Sequence, residues 1–142
     1  MHCVIGGAYA GKRDAVRARY DALAWHSAYA GAELEDWKKR ALPGTTLVLE
    51  GWEQWLATAL ADDGDDDRLR QRFTETLDAL VSTERERDLR VVLILLEMGR
   101  GIVPIAAIDR RLRDLAGWLA QDASERAERV SYVWHGLMKD LR

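Results

Sequence analysis

An α/β fold with a largely parallel sheet is predicted for this sequence by three features. Short aliphatic runs alternate with helix-forming stretches along the 142 residues. The two most apolar runs, TTLVLE at 45–50 and RVVLILL at 90–96, lack the regular polar interruption of a strand that faces water on one side. A glycine-rich segment joins the first run directly to the first helical stretch, placing a tight loop at the end of a strand.

The elements follow in order. Residues 1–5 form a strand that stops at a glycine pair, and helix-forming residues follow at 13–23. The turn pair Pro43 and Gly44 introduces the strand at 45–50, and a helix runs over 52–61. DDGDDD at 62–67 is a solvated break; it lacks the ligand order of a calcium loop. Leu69, Phe73, Leu77, Leu80 and Val81 then recur at helical spacing, so a second helix extends to about residue 88. The 90–96 run belongs in the centre of the sheet, with a charged entry and a glycine exit. Ile105, Ile108, Leu112, Leu115 and Leu119 mark one face of a long helix after Pro104, and VSYVW at 130–134 is the last strand. The order reads β-α-β-α-α-β-α-β, which puts ligands at the carboxyl ends of the strands. Residues 24–42 stay open, with a possible strand near 23–26 and a possible helix near 33–39.

Composition limits the function. A chain of this length supports one core and hence one domain over 1–142. With a net charge of −3 and interspersed signs there is no basic footprint for nucleic acid. The longest aliphatic run, 91–96, is far short of the roughly 20 residues that span a bilayer, and no leader precedes the first strand, so a cytoplasmic protein is expected. The single cysteine, Cys3, excludes an internal disulfide and reads as a small apolar strand residue.

The chemistry concentrates at Gly6-Gly7-Ala8-Tyr9-Ala10-Gly11-Lys12, which satisfies the first seven positions of G-x-x-x-x-G-K-[ST]. Glycines let the backbone aim successive N–H groups at phosphate oxygens, the following helix adds positive potential, and Lys12 supplies a point charge for the outer phosphates. The fold class is accordingly a P-loop NTPase-like three-layer sandwich, and the expected ligand is a purine nucleotide, ATP or GTP. Arg13 fills the eighth position, where a hydroxyl ordinarily holds the magnesium ion that bridges the outer phosphates. An arginine has donors only. Either other groups hold Mg2+, Arg13 itself neutralises phosphate, or the loop binds nucleotide without efficient turnover. Glu50 and Glu97 each close a predicted strand at the ligand edge. There a carboxylate can hold a metal, the role assigned to Glu50, or poise an attacking hydroxyl. A salt bridge with Lys12 or a loop arginine is the alternative for both.

Two segments together resemble the adenosylcobinamide kinase/adenosylcobinamide-phosphate guanylyltransferase family of cobalamin biosynthesis. One is VIGGAYAGKR at 4–13. The other is LEMGRGIVPIAAIDRRLRDLAG at 96–117, in which Glu97, Gly99, Gly101, Ile102, Val103, Pro104, Arg113, Asp114, Ala116 and Gly117, followed by Gln121, fall on matching positions. Glu50 matches an acidic residue at the end of a family strand. The resemblance implies a homotrimeric P-loop enzyme that phosphorylates the aminopropanol hydroxyl of adenosylcobinamide, a corrinoid. It then transfers GMP from GTP through a histidine-linked intermediate. The chain departs from the pattern at three places. The histidine motif is missing, leaving His26 alone in that region, and Leu96 and Ala120 replace family asparagines. The leading expectation is therefore a nucleotide-dependent transferase in which Lys12, Glu50 and Glu97 are catalytic and phosphoryl transfer outweighs guanylyl transfer. A non-catalytic nucleotide-binding regulatory or assembly protein is the alternative. His2 and His135 read as structural, and Trp52, Trp55 and Trp118 read as core or as a subunit or ligand surface.

Overall fold

A computed structural model describes residues 1–98 and 106–142. Gly99, Gly101, Ile102, Val103, Pro104 and Ile105 lie outside the described residues. The strands are β1 (His2–Gly6), β2 (Leu23–Ser27), β3 (Thr46–Glu50), β4 (Arg90–Leu96), β5 (Arg129–Trp134) and β6 (Leu137–Asp140). The helices are α1 (Lys12–Arg19), α2 (Trp52–Asp62), α3 (Asp66–Glu86) and α4 (Ala107–Arg126), with 3-10 segments at Ala28–Ala30 and Leu34–Arg40. One six-stranded sheet has the order β2-β3-β4-β1-β5-β6, parallel except for the β5–β6 pair.

The alternation of side chains along each strand divides the core. Cys3, Leu47, Leu49, Val91, Leu93, Leu95 and Val130 pack on one face beneath α2, α3 and α4. Val4, Val48, Val92, Ile94 and Val133 pack on the other face with Val16 of α1. The central strands are buried on both faces, which is why they read as unbroken apolar runs. Trp52 and Trp55 are core residues: their rings meet edge to face at 5.0 Å, and Trp52 also meets Phe73. Trp118 is half-buried, with the Arg70 guanidinium 5.3 Å above its ring. The acidic break caps α3, since Asp65 accepts from the Arg68 N–H and Asp63 holds the Arg68 side chain.

Two elements extend the sequence reading. The first helix ends at Arg19, earlier than its composition suggests, and β2 takes up residues 23–27 at the sheet edge. Beyond β5, a two-residue turn reverses the chain into β6. His135 (φ 49°) and Gly136 (φ 75°) are both left-handed there, as the twist of a tight hairpin demands.

His2 anchors the amino ends of the strands. Ser131 Oγ donates to Asp140 Oδ1 at 2.6 Å, so it accepts from His2 Nε2 at 2.7 Å; His2 Nδ1 then accepts from the Tyr20 hydroxyl at 2.6 Å. Burial, reinforced by Arg19, pushes His2 from 6.5 down to about 4. The unfolded chain therefore binds a proton that the folded chain refuses, and stability falls as pH drops through this window. Urea unfolding should show a loss of up to about 3 kcal/mol between these pH values, a slope that His2→Asn removes. Equal slopes in the two proteins would place the acid sensitivity elsewhere.

Candidate functional site

β1 lies between β4 and β5, and the glycine loop leaves its carboxyl end. The Glu97 N–H donates to the Gly6 carbonyl at 2.8 Å, fixing the start of the loop against the end of β4. A Cβ on Gly6 would fall 2.7 Å from the Val133 carbonyl, so only glycine fits between the strands there. Ala10 N–H donates to the Gly7 carbonyl at 3.3 Å, and Tyr9 stands left-handed (φ 60°) with its side chain fully exposed. Gly11, at φ 91°, turns the backbone into α1, and the Gly136 N–H holds the Ala10 carbonyl at 2.8 Å. The β5–β6 turn thus braces the loop from the side.

Lys12 opens α1 and folds back over the loop, its Nζ donating to the Gly7 carbonyl at 2.6 Å. Partial burial lowers its pKa, while Glu53, Glu50 and Glu97 pull it back up. A cavity of about 590 Å3 opens beside the loop, lined by Lys12, Arg13, Arg17, Tyr29 and Glu50 among others. That volume suits a nucleotide-sized ligand.

The two strand-end acids point to opposite faces of the sheet. Glu50 follows Val48 on the α1 side, where it is 1% exposed and accepts from Arg13 Nη2 at 2.6 Å. Glu97 accepts from the Tyr132 hydroxyl at 2.5 Å, away from α1. Arg13 is further fixed by Trp25 of β2, its guanidinium carbon lying 4.9 Å from the ring centroid; Arg17 shares that ring at 5.1 Å. On the far rim the Tyr29 hydroxyl donates to both oxygens of Glu53, 3.0 Å from Oε2. Burial and this bond hold the phenol well above its ordinary value.

Trp25, Arg17, Tyr29 and Glu53 were not singled out by the sequence reading. Arg17 follows Arg13 by one helical turn, a spacing that could have flagged it, and Glu53 lies in the first turn of α2. Trp25 and Tyr29 fall in the stretch without a clear period.

A magnesium ion does not fit the Arg13–Glu50 arrangement. The buried carboxylate that would hold it already carries a guanidinium, and position 13 offers no oxygen. Among the described residues, no group of three or more His, Cys, Asp or Glu is arranged to hold a metal ion.

The histidines do not face the cavity lining. His26 is 1% exposed, stacks on Trp55 at 5.6 Å and shares its Nε2 with the Glu33 carbonyl at 2.7 Å. Among the described residues, its Nδ1 and the neighbouring Ser27 hydroxyl are buried with no protein partner. Burial lowers its pKa.

Sheet order, parallel crossovers and the strand, glycine loop and helix at the first crossover define an α/β fold of the P-loop NTPase-like class. Within that class, the model of the cobinamide kinase / cobinamide phosphate guanyltransferase family matches residues 16–141, and the chain belongs to this family. The matched stretch begins after the glycine loop. The chain is also similar to the bifunctional adenosylcobalamin biosynthesis protein CobP of Pseudomonas aeruginosa, at 33% identity over 105 residues. The matched region covers 74% of this chain and 58% of that relative, so the chain spans little more than half the relative's length. Among the described residues, no helix is long and apolar enough to cross a membrane.

Proposed function

We propose that this chain binds ATP or GTP through Gly6, Gly7, Ala8, Tyr9, Ala10, Gly11, Lys12 and Arg13, and transfers the terminal phosphoryl group to a corrinoid side-chain hydroxyl, that of adenosylcobinamide. The observation that carries the reading is Lys12 folded over a glycine loop at the mouth of a 590 Å3 cavity, at the ligand edge of a parallel sheet. The substrate class follows from the family. In the reaction the acceptor oxygen attacks the γ-phosphorus, the bond to the β–γ bridging oxygen breaks, and a nucleoside diphosphate leaves. Lys12 stabilises the charge that develops on the phosphoryl oxygens. Glu97, fixed by the Gly6 and Tyr132 contacts, accepts the hydroxyl proton, while Glu50 positions Arg13. By the same resemblance the working form is a homotrimer in the cytoplasm, an assembly that light scattering would test.

Single-turnover mixing with adenosylcobinamide and γ-labelled ATP or GTP tests the reaction. Label on the corrinoid is the expected result. Bound nucleotide that never gives up its label would favour the regulatory reading, for which the occupied Glu50 carboxylate is the supporting feature.

Guanylyl transfer is the lesser activity in this proposal, because a nucleophilic histidine must reach the α-phosphorus and His26 is buried under Trp55. Incubation with GTP should leave the intact mass unchanged. A covalent GMP adduct that disappears in His26→Ala would overturn this assignment.

A further inference from the structure

We propose that Arg13 is a built-in cation for the outer phosphates, and that this chain binds nucleoside triphosphate without a divalent metal. The inference rests on the nucleotide reading of the loop and goes beyond it in assigning the counter-charge. In a magnesium-dependent loop, the hydroxyl after the lysine and an acid at the end of another strand of the sheet hold the ion against the β- and γ-phosphates. This chain keeps the acid, Glu50, at the end of β3 and puts a guanidinium where the hydroxyl and the ion would be. The guanidinium carries fixed positive charge, bonds to that acid at 2.6 Å, and presents donors matched to phosphate oxygens.

Three features suit Arg13 to that task. Its position in the first turn of α1 places it where the helix already favours anions. The Trp25 ring 4.9 Å away and the buried Glu50 restrict its rotamers from two sides, so less freedom is lost when phosphate arrives. Its side chain nevertheless remains 51% exposed and lines the cavity, and one of its five N–H donors is engaged by Glu50. A metal at the same place would have to displace the guanidinium from a carboxylate that is 1% exposed.

Calorimetry with ATP and GTP, each in excess EDTA and in excess magnesium, tests the proposal. Wild-type affinity should agree between the two buffers to within about threefold. Arg13→Ser should bind about tenfold to a hundredfold more weakly in EDTA, and regain affinity when magnesium is added to the restored hydroxyl. Arg13→Lys keeps the charge and Trp25→Leu removes only the stacking, so both should retain most of the metal-free binding. If the serine variant does not fold, the wild-type comparison between the two buffers carries the test. Wild-type binding that strengthens about tenfold or more with magnesium, or an Arg13→Ser protein unaffected in EDTA, overturns the proposal. Absence of wild-type binding in both buffers overturns the nucleotide reading itself.

Discussion

Replacing Lys12 by alanine is expected to weaken ATP and GTP binding by about tenfold to a hundredfold, the usual worth of a hydrogen bond between two charged groups. The structure supplies the reason. The Lys12 ammonium is partly withdrawn from water, which lowers its pKa, and its bond at 2.6 Å is to a neutral carbonyl, that of Gly7. A phosphate oxygen offers the same donor a full negative charge in the same partly desolvated place, so the gain on exchange is large. The loop itself does not depend on the ammonium. Gly6 is fixed by the Glu97 N–H, and Ala10 is held by the Gly136 N–H and by its own bond to Gly7. Alanine should therefore leave the thermal transition nearly unchanged while calorimetric affinity falls. Equal affinity in wild type and variant would move the nucleotide to another site.

Gly51→Ala is expected to destabilise the fold by about 2–5 kcal/mol, combining a left-handed alanine with overpacking. Gly51 joins Glu50 to α2 at φ 86°, where a side chain is strained. Its missing Cβ would also lie 2.6 Å from Ala28 Cβ and 3.2 Å from the Ala28 nitrogen. Relief requires a shift of the 3-10 segment Ala28–Ala30 or of the end of β3. Such a shift would carry Glu50 away from Arg13, so nucleotide affinity should fall together with stability. Urea denaturation gives the first quantity and calorimetry the second. A change in stability below about 1 kcal/mol would mean that the contact relaxes without strain.

The central architecture was legible because its strands are buried on both faces. Val91 to Leu95 on β4 and Leu47 to Leu49 on β3 must all be apolar whichever way they point, so no periodicity was needed to find them. For the opposite reason β2 was legible only as a possible strand near 23–26, and β6 was not legible at all. β2 has one neighbour and mixes Trp25, His26 and Ser27 in five residues, so its strand character comes from pairing with β3 rather than from its own pattern. β6 is four residues, Leu-Met-Lys-Asp, and exists because the His135-Gly136 turn returns it to β5. The same limit applied to the site. The loop is local in sequence and its function in backbone geometry could be read from residues 6–12. Glu50 and Glu97 could be placed at strand ends, with a salt bridge to Lys12 or a loop arginine open for both, but the partner of each could not be chosen.

The sequence by itself determined the strand-loop-helix unit, the two central strands and the family, because each is encoded by contiguous residues whose types suffice. The tertiary structure alone decided that Arg13 meets Glu50 across 37 residues while Glu97 turns to Tyr132. That division follows from the side-chain alternation of β3 and β4 and from which face α1 covers. Contacts between separate elements depend on how those elements pack, and spacing along the chain carries no measure of that.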